Sequence, residues 1–142
     1  MQEFNLIILK PCCCRRGIIG KIVSIFEDME LNILNLKMFR MTEEQANIIY
    51  PNPTYMNWEE HKRRTDYLTQ GKCVLLIVSG EEALKKVVKI CGDEKPHDAA
   101  LHTIRFRYGV NEIKNVVYYS KDWENFQRDS KLFLGDDFAV WK

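Results

Sequence analysis

The chain lacks an excess of charge. Its 142 residues carry 21 Lys and Arg against 20 Asp and Glu, a formal net charge of +1. Proteins that hold nucleic acid or a membrane surface by charge show a larger imbalance, so neither a membrane nor a specific nucleic acid is expected as a partner. Long apolar runs are missing as well: none approaches the ~20 residues that span a bilayer. The start, Met1-Gln2-Glu3-Phe4-Asn5, has neither the basic residues nor the apolar stretch of a secretory signal. A disulfide framework is absent. The five cysteines are Cys12, Cys13, Cys14, Cys73 and Cys91, an odd number with three adjacent, which points to a reducing, cytoplasmic compartment. No C-x-x-C pair occurs, and His61, His97 and His102 stand far from the cysteines, so zinc spacing is lacking and no metal site is expected. Without repeats, linkers or low-complexity segments, residues 1–142 read as a single domain.

What is present is a succession of short elements. Phe4 to Leu9 is a buried strand that Pro11 ends, and Cys12–Cys14 read as small side chains in a turn. Arg16 to Met29 carries one apolar face of a helix, and Leu31 to Phe39 alternates as a strand. Thr42 is placed to cap a short helix. The two prolines and two asparagines of residues 51–57 make a loop. Trp58 to Leu68 is a polar helix whose Trp58–Arg64 stretch reads as a solvated face, its acids offsetting much of the charge. Lys72 to Ser79 is a continuous apolar run, the mark of a central strand. A helix over Glu81–Cys91 ends at Gly92, residues 93–112 are irregular, Asn115–Tyr119 is a strand and Lys121–Leu134 a last helix stopped by Gly135. Few strands separated by helices fit an α+β ferredoxin-like sandwich, with a four-stranded antiparallel sheet and helices on its face.

Several of these stretches together resemble the nucleoside diphosphate kinase family. The strand-end motif Ile8-Leu9-Lys10-Pro11 is followed by Arg16-Gly17-Ile18-Ile19-Gly20-Lys21-Ile22. Phe26-Glu27, Leu36-Lys37-Met38, Gly71, Pro96, Asp98, Thr103-Ile104-Arg105 and Asn115-Val116-Val117 continue the match from about Phe4 to Leu134. The family moves a phosphoryl group by ping-pong transfer through a histidine, and its other residues position and neutralise the phosphates. The resemblance implies nucleotide contacts at Lys10, Tyr50, Arg105 and Asn115, magnesium arriving with any bound nucleotide, and self-association or a protein partner in a larger assembly. It assigns the residue that stacks on the base to either Tyr55 or Trp58. It also implies that the longer C-terminal arm of some relatives is absent.

The departures from the pattern lie at the chemistry. Tyr118 occupies the position of the phosphohistidine, and Tyr119 and Lys121 replace a glycine and an acid around Ser120. A phenol with a pKa of ~10 is mostly protonated and a weak nucleophile at neutral pH. Asp129 stands where the family has a glutamate that orients the histidine. Val88, beside Lys89, takes the place of an arginine, and Glu94 that of a phosphate-binding threonine. Phe106 and Arg107 replace a glycine and an aspartate, the phenyl ring being suited to fill space near the pocket. His97 and His102 lie in the loop near the cleft, but neither is at the nucleophile's position. Lys10 suits a phosphate role and a solvated strand end equally, and Arg105 and Asn115 also suit loop-holding hydrogen bonds. From Tyr118, Tyr119, Glu94 and Val88 together, the expected function is that of a catalytically inactive homologue acting as a binding or assembly module with residual nucleotide affinity. The alternatives are an active nucleoside diphosphate kinase with a non-standard acceptor and a nucleotide sensor without turnover.

Overall fold

The computed structural model describes residues 2–51 and 57–136. The elements are β1 (Gln2–Leu9), α1 (Pro11–Arg16), α2 (Ile19–Asp28), β2 (Asn32–Arg40), α3 (Glu43–Ile49), α4 (Trp58–Thr69), β3 (Lys72–Glu81), α5 (Ala83–Cys91), a 3-10 turn (Pro96–Asp98), α6 (Ile104–Tyr108), β4 (Val117–Tyr119) and α7 (Trp123–Leu134). The four strands form one sheet in the order β2-β3-β1-β4. Every neighbouring pair is antiparallel, with Leu6 opposite Ile77 and Ile8 opposite Tyr118. This is the ferredoxin-like α+β sandwich.

Helices cover both faces of the sheet rather than one, and this explains the two unbroken apolar runs. Ile7 and Leu9 of β1 and Val74, Leu76 and Val78 of β3 point into one core with Ile22, Phe26, Val87 and Ile104. Leu6 and Ile8, with Cys73, Leu75 and Ile77, point into the other, against Ala46, Leu68, Phe126 and Phe133. A strand buried on both faces has no polar side to present, so its alternation disappears. β2 lies at the sheet edge and keeps its alternation, with Leu36 and Met38 about half exposed at 54% and 53%.

The expected turn at Cys12–Cys14 is instead the helix α1. Pro11 sits at its first position, where a fixed φ and a missing N–H cost nothing. Gly17 closes it in the left-handed conformation at φ 66°, so the single helix expected from Arg16 is divided there. Thr42 caps α3 through a reciprocal box with Gln45. The stretch expected to be irregular holds the 3-10 turn and α6, which Thr103 caps by accepting from Phe106 N at 3.3 Å. The last strand is shorter than expected because Val116 has φ 81°. A left-handed valine is strained. Its carbonyl nevertheless accepts from Lys10 N at 2.8 Å, which ties the end of β1 to the start of β4. The expected loop at 51–57 and the chain beyond Asp136 fall mostly or wholly outside the described residues.

Candidate functional site

The chain leaves β1 at Lys10 and places that side chain under the sheet end, 1% exposed. Its Nζ donates to Asn115 Oδ1 at 2.6 Å and to the Ile113 carbonyl at 3.4 Å, and lies 5.1 Å from the centroid of the Tyr50 ring. Burial, then the charge of Arg105, brings its pKa from 10.5 down to about 7. The Asn115 amide donates to the carbonyls of Glu94 and Glu112 at 3.0 and 3.1 Å. Arg105 spends both terminal nitrogens on the backbone, donating to the carbonyls of Gly92 at 2.9 Å and Val117 at 2.8 Å. Lys10, Tyr50, Arg105 and Asn115 therefore do come together, and three of them also hold the loops that form the site.

Lys10 yields a testable consequence. Between pH 7 and 10.5 the unfolded chain binds more protons at this residue than the folded one, so stability rises with pH across that window. At ~1.4 kcal/mol per pKa unit, the gain between pH 7 and pH 9 is ~2 kcal/mol. Urea unfolding at the two pH values should show that gain in the parent protein relative to Lys10→Met. Equal pH dependence of the two proteins would mean that the amine stays charged in the fold.

Tyr50 ends α3 and links the two halves of the site. Its ring centroid lies 5.5 Å from that of Tyr118 in an edge contact. Burial pushes its phenol up to about 12. The Arg64 guanidinium stands 4.4 Å from the same ring, so Arg64 belongs to the site and not to a solvated face. The helical spacing of His61, Thr65 and Leu68, all buried on α4, was the signal that placed Arg64 beside the inward side.

Tyr118 is carried by β4 and turned toward α7. Its Oη donates to Asp129 Oδ2 at 2.6 Å. Ser120 Oγ donates to the same oxygen at 2.7 Å. Arg128 binds the other carboxylate oxygen through Nε at 3.0 Å and Nη2 at 2.9 Å, and Nη2 reaches Tyr118 Oη at 3.3 Å. Burial, then the Asp129 charge, holds the phenol well above its usual value. A hydroxyl hydrogen-bonded to a buried carboxylate, which is itself fixed by a third group, is the arrangement of a nucleophile with its base.

Two cavities open on these residues. One of about 460 Å³ is lined by Tyr50, Arg63, Arg64, Glu94, His97 and Asn115 among others. The other, of about 350 Å³, is lined by Tyr50, Glu94, Arg105, Tyr118, Lys121 and Arg128 among others. They share Tyr50 and Glu94. Val88, Lys89 and His102 face a third cavity of about 720 Å³, which meets the other two at Glu94, and His97 pairs with Asp98 at 3.6 Å. Phe106 and Trp58 are exposed and line none of these cavities, so the expected filling by Phe106 does not occur. Of the two candidates for the base, Trp58 is not brought to the cleft and Tyr55 lies outside the described residues. No group of three or more His, Cys, Asp or Glu among the described residues is placed to hold a metal ion.

The family model described as nucleoside diphosphate kinase matches residues 3–138. The chain is 33% identical over 145 residues to the nucleoside diphosphate kinase of Thermosipho africanus, covering 98% of this chain and 93% of that protein. It is 31% identical over 137 residues to that of Methanocaldococcus jannaschii, covering 96% of each. Among solved structures, the apo nucleoside diphosphate kinase of Encephalitozoon cuniculi superposes with a TM-score of 0.89 at 27% identity, over 96% of this chain and 91% of that one. The Halobacterium salinarum enzyme in complex with CDP gives 0.87 at 28% identity, over 96% and 90%. These relatives overturn the expectation of an inactive binding module, since proteins 31–33% identical over nearly the whole chain are named nucleoside diphosphate kinases. The sequence puts Asp129 at the position of the family's histidine-orienting glutamate, and the structure brings its carboxylate within 2.6 Å of the Tyr118 oxygen. With the matched model and these full-length relatives, the chain belongs to the nucleoside diphosphate kinase family.

Proposed function

We propose that the chain transfers phosphoryl groups between nucleoside triphosphates and diphosphates, with the Tyr118 oxygen in the acceptor position that a histidine holds in the family pattern. The observation that carries this reading is the 2.6 Å hydrogen bond from Tyr118 Oη to the buried Asp129 carboxylate. Tyr118 Oη attacks the terminal phosphorus of the triphosphate. The new O–P bond forms as the bond to the bridging oxygen breaks, and that oxygen leaves with the electron pair on the diphosphate. The phenolic proton passes to Asp129 Oδ2. In the return half, a terminal oxygen of a second diphosphate attacks the same phosphorus. The phenolic oxygen leaves and recovers its proton from Asp129.

Lys10, Tyr50, Arg105 and Asn115 supply the nucleotide contacts in this reading. Arg105 lines the cavity over Tyr118, and negative phosphate oxygens there would favour the charged form of Lys10, which burial and the Arg105 charge disfavour. Magnesium enters as part of the nucleotide substrate. The CDP complex of the Halobacterium salinarum relative supports a nucleotide in the cleft. The 460 Å³ cavity has room for ribose and base beside the phosphates. The reading includes self-association, with Leu36 and Met38 on the edge strand β2 as surface that a second copy would cover. It also includes a cytoplasmic setting, in keeping with five free cysteines.

The test is incubation of the purified chain with magnesium, ADP and γ-labelled GTP. Labelled ATP is expected, together with a labelled protein that withstands acid, as an aryl phosphate does and a phosphoramidate does not. Absence of both labelled ATP and labelled protein would refute the reading.

A further inference from the structure

The cavity over Tyr118 holds positive charge that the fold leaves unspent. Its charged lining is Arg105, Lys121 and Arg128 against one acid, Glu94. The Asp129 carboxylate behind it is already engaged by Arg128 at 2.9 Å and by the hydroxyls of Tyr118 and Ser120. Arg105 is tied to backbone carbonyls by both terminal nitrogens. Lys121 and Arg128 are different. Among the described residues Lys121 makes no hydrogen bond or ion pair, and Arg128 uses Nε and Nη2 while Nη1 has no partner.

Their placement is built by the junction of β4 and α7. Ser120 is fixed by its N–H to the Leu6 carbonyl at 3.1 Å and by its hydroxyl to Asp129. One residue further on, Asp122 caps α7 by accepting from Asn125 N at 2.8 Å. Lys121 stands between these two anchors, on backbone that cannot drift, and its flexible stem brings a point charge to the cavity. Arg128 is locked in place by Asp129, with its remaining donor free.

We propose that Lys121 and Arg128 form the seat of the phosphoryl group in transit, with Lys121 Nζ and Arg128 Nη1 binding the tetrahedral anion beside the Tyr118 oxygen. The proposal rests on the reading of Tyr118 as acceptor. It adds that the charge neutralising the transferred group comes from the β4–α7 junction, on the far side of the sequence from Lys10. The 350 Å³ cavity admits phosphate groups but not a whole nucleotide as well. Its single acid, Glu94, is outnumbered by the cations that face it.

Inorganic pyrophosphate is the probe, titrated calorimetrically into the parent protein, Lys121→Ala, Lys121→Arg and, as a control on the exposed side of α7, Lys131→Ala. Lys121 is exposed, so its loss leaves the fold intact, which the melting temperature verifies. Pyrophosphate should bind the parent and Lys131→Ala equally, Lys121→Ala about tenfold more weakly (~1.4 kcal/mol), and Lys121→Arg close to the parent. No binding to the parent, or equal binding to Lys121→Ala, overturns the proposal. GTP-to-ADP transfer measured on the same samples separates the two readings. Lysine-dependent pyrophosphate binding without transfer would overturn the phosphotransferase reading and leave the anion seat standing.

Discussion

Replacing Tyr118 by phenylalanine is expected to abolish acid-stable labelling of the protein and to slow GTP-to-ADP transfer at least ~100-fold. The substitution removes one oxygen and little else. The ring stays paired across the sheet with Ile8 and in edge contact with Tyr50, so the cleft keeps its shape. The stability cost is that of two lost hydrogen bonds, one of them to a buried carboxylate, ~2 kcal/mol. Transfer at the parent rate in Tyr118→Phe would show that the phosphoryl group never rests on this residue. The converse change is equally informative. Tyr118→His puts a ring nitrogen at the same strand position, and a phosphoramidate surrenders its phosphate more readily than an aryl ester. Transfer should become faster than in the parent, and the label should become acid-labile. A slower histidine variant would mean that the Asp129 side of the site is shaped for an oxygen alone.

The second large effect is at Asp129. In Asp129→Asn the side chain keeps its volume but can no longer accept the phenolic proton, and the charge facing Arg128 is gone. General-base removal lowers rates by roughly 100- to 10,000-fold, so transfer should fall by at least ~100-fold while pyrophosphate binding persists. Stability should drop by ~2 kcal/mol, because a buried carboxylate that receives charge-assisted bonds is replaced by an amide with fewer acceptors. Stopped-flow transfer assays and urea unfolding check the two parts separately. A variant that is less stable but transfers normally would reduce Asp129 to a structural role.

Much of the fold was legible in the chain. The apolar runs at Phe4–Leu9 and Lys72–Ser79, the caps at Thr42 and Gly92 and the order of the family motifs located the strands and most helices. The misread places were those where one residue's backbone overrides the local pattern. Pro11 starts a helix where it was expected only to end a strand, Gly17 cuts a continuous apolar periodicity, and the left-handed Val116 shortens a strand that looked longer. The resemblance named Lys10, Tyr50, Arg105, Asn115 and Tyr118, and the structure brings these residues close to one another. Arg64 was missed because a polar helix was averaged over all its faces. The Lys121–Arg128 pair was missed because its members are seven positions apart and meet only at a cavity.

The sequence alone determined the scaffold and that the side chain of residue 118 ends in a phenolic oxygen, since both follow from residue identity and order. Only the tertiary structure decided what that atom can do. Reactivity of a phenol depends on whether a buried carboxylate lies within hydrogen-bond reach and on how many cations face the same space. Those distances are set where β4 packs against α7, not by any stretch of neighbouring residues.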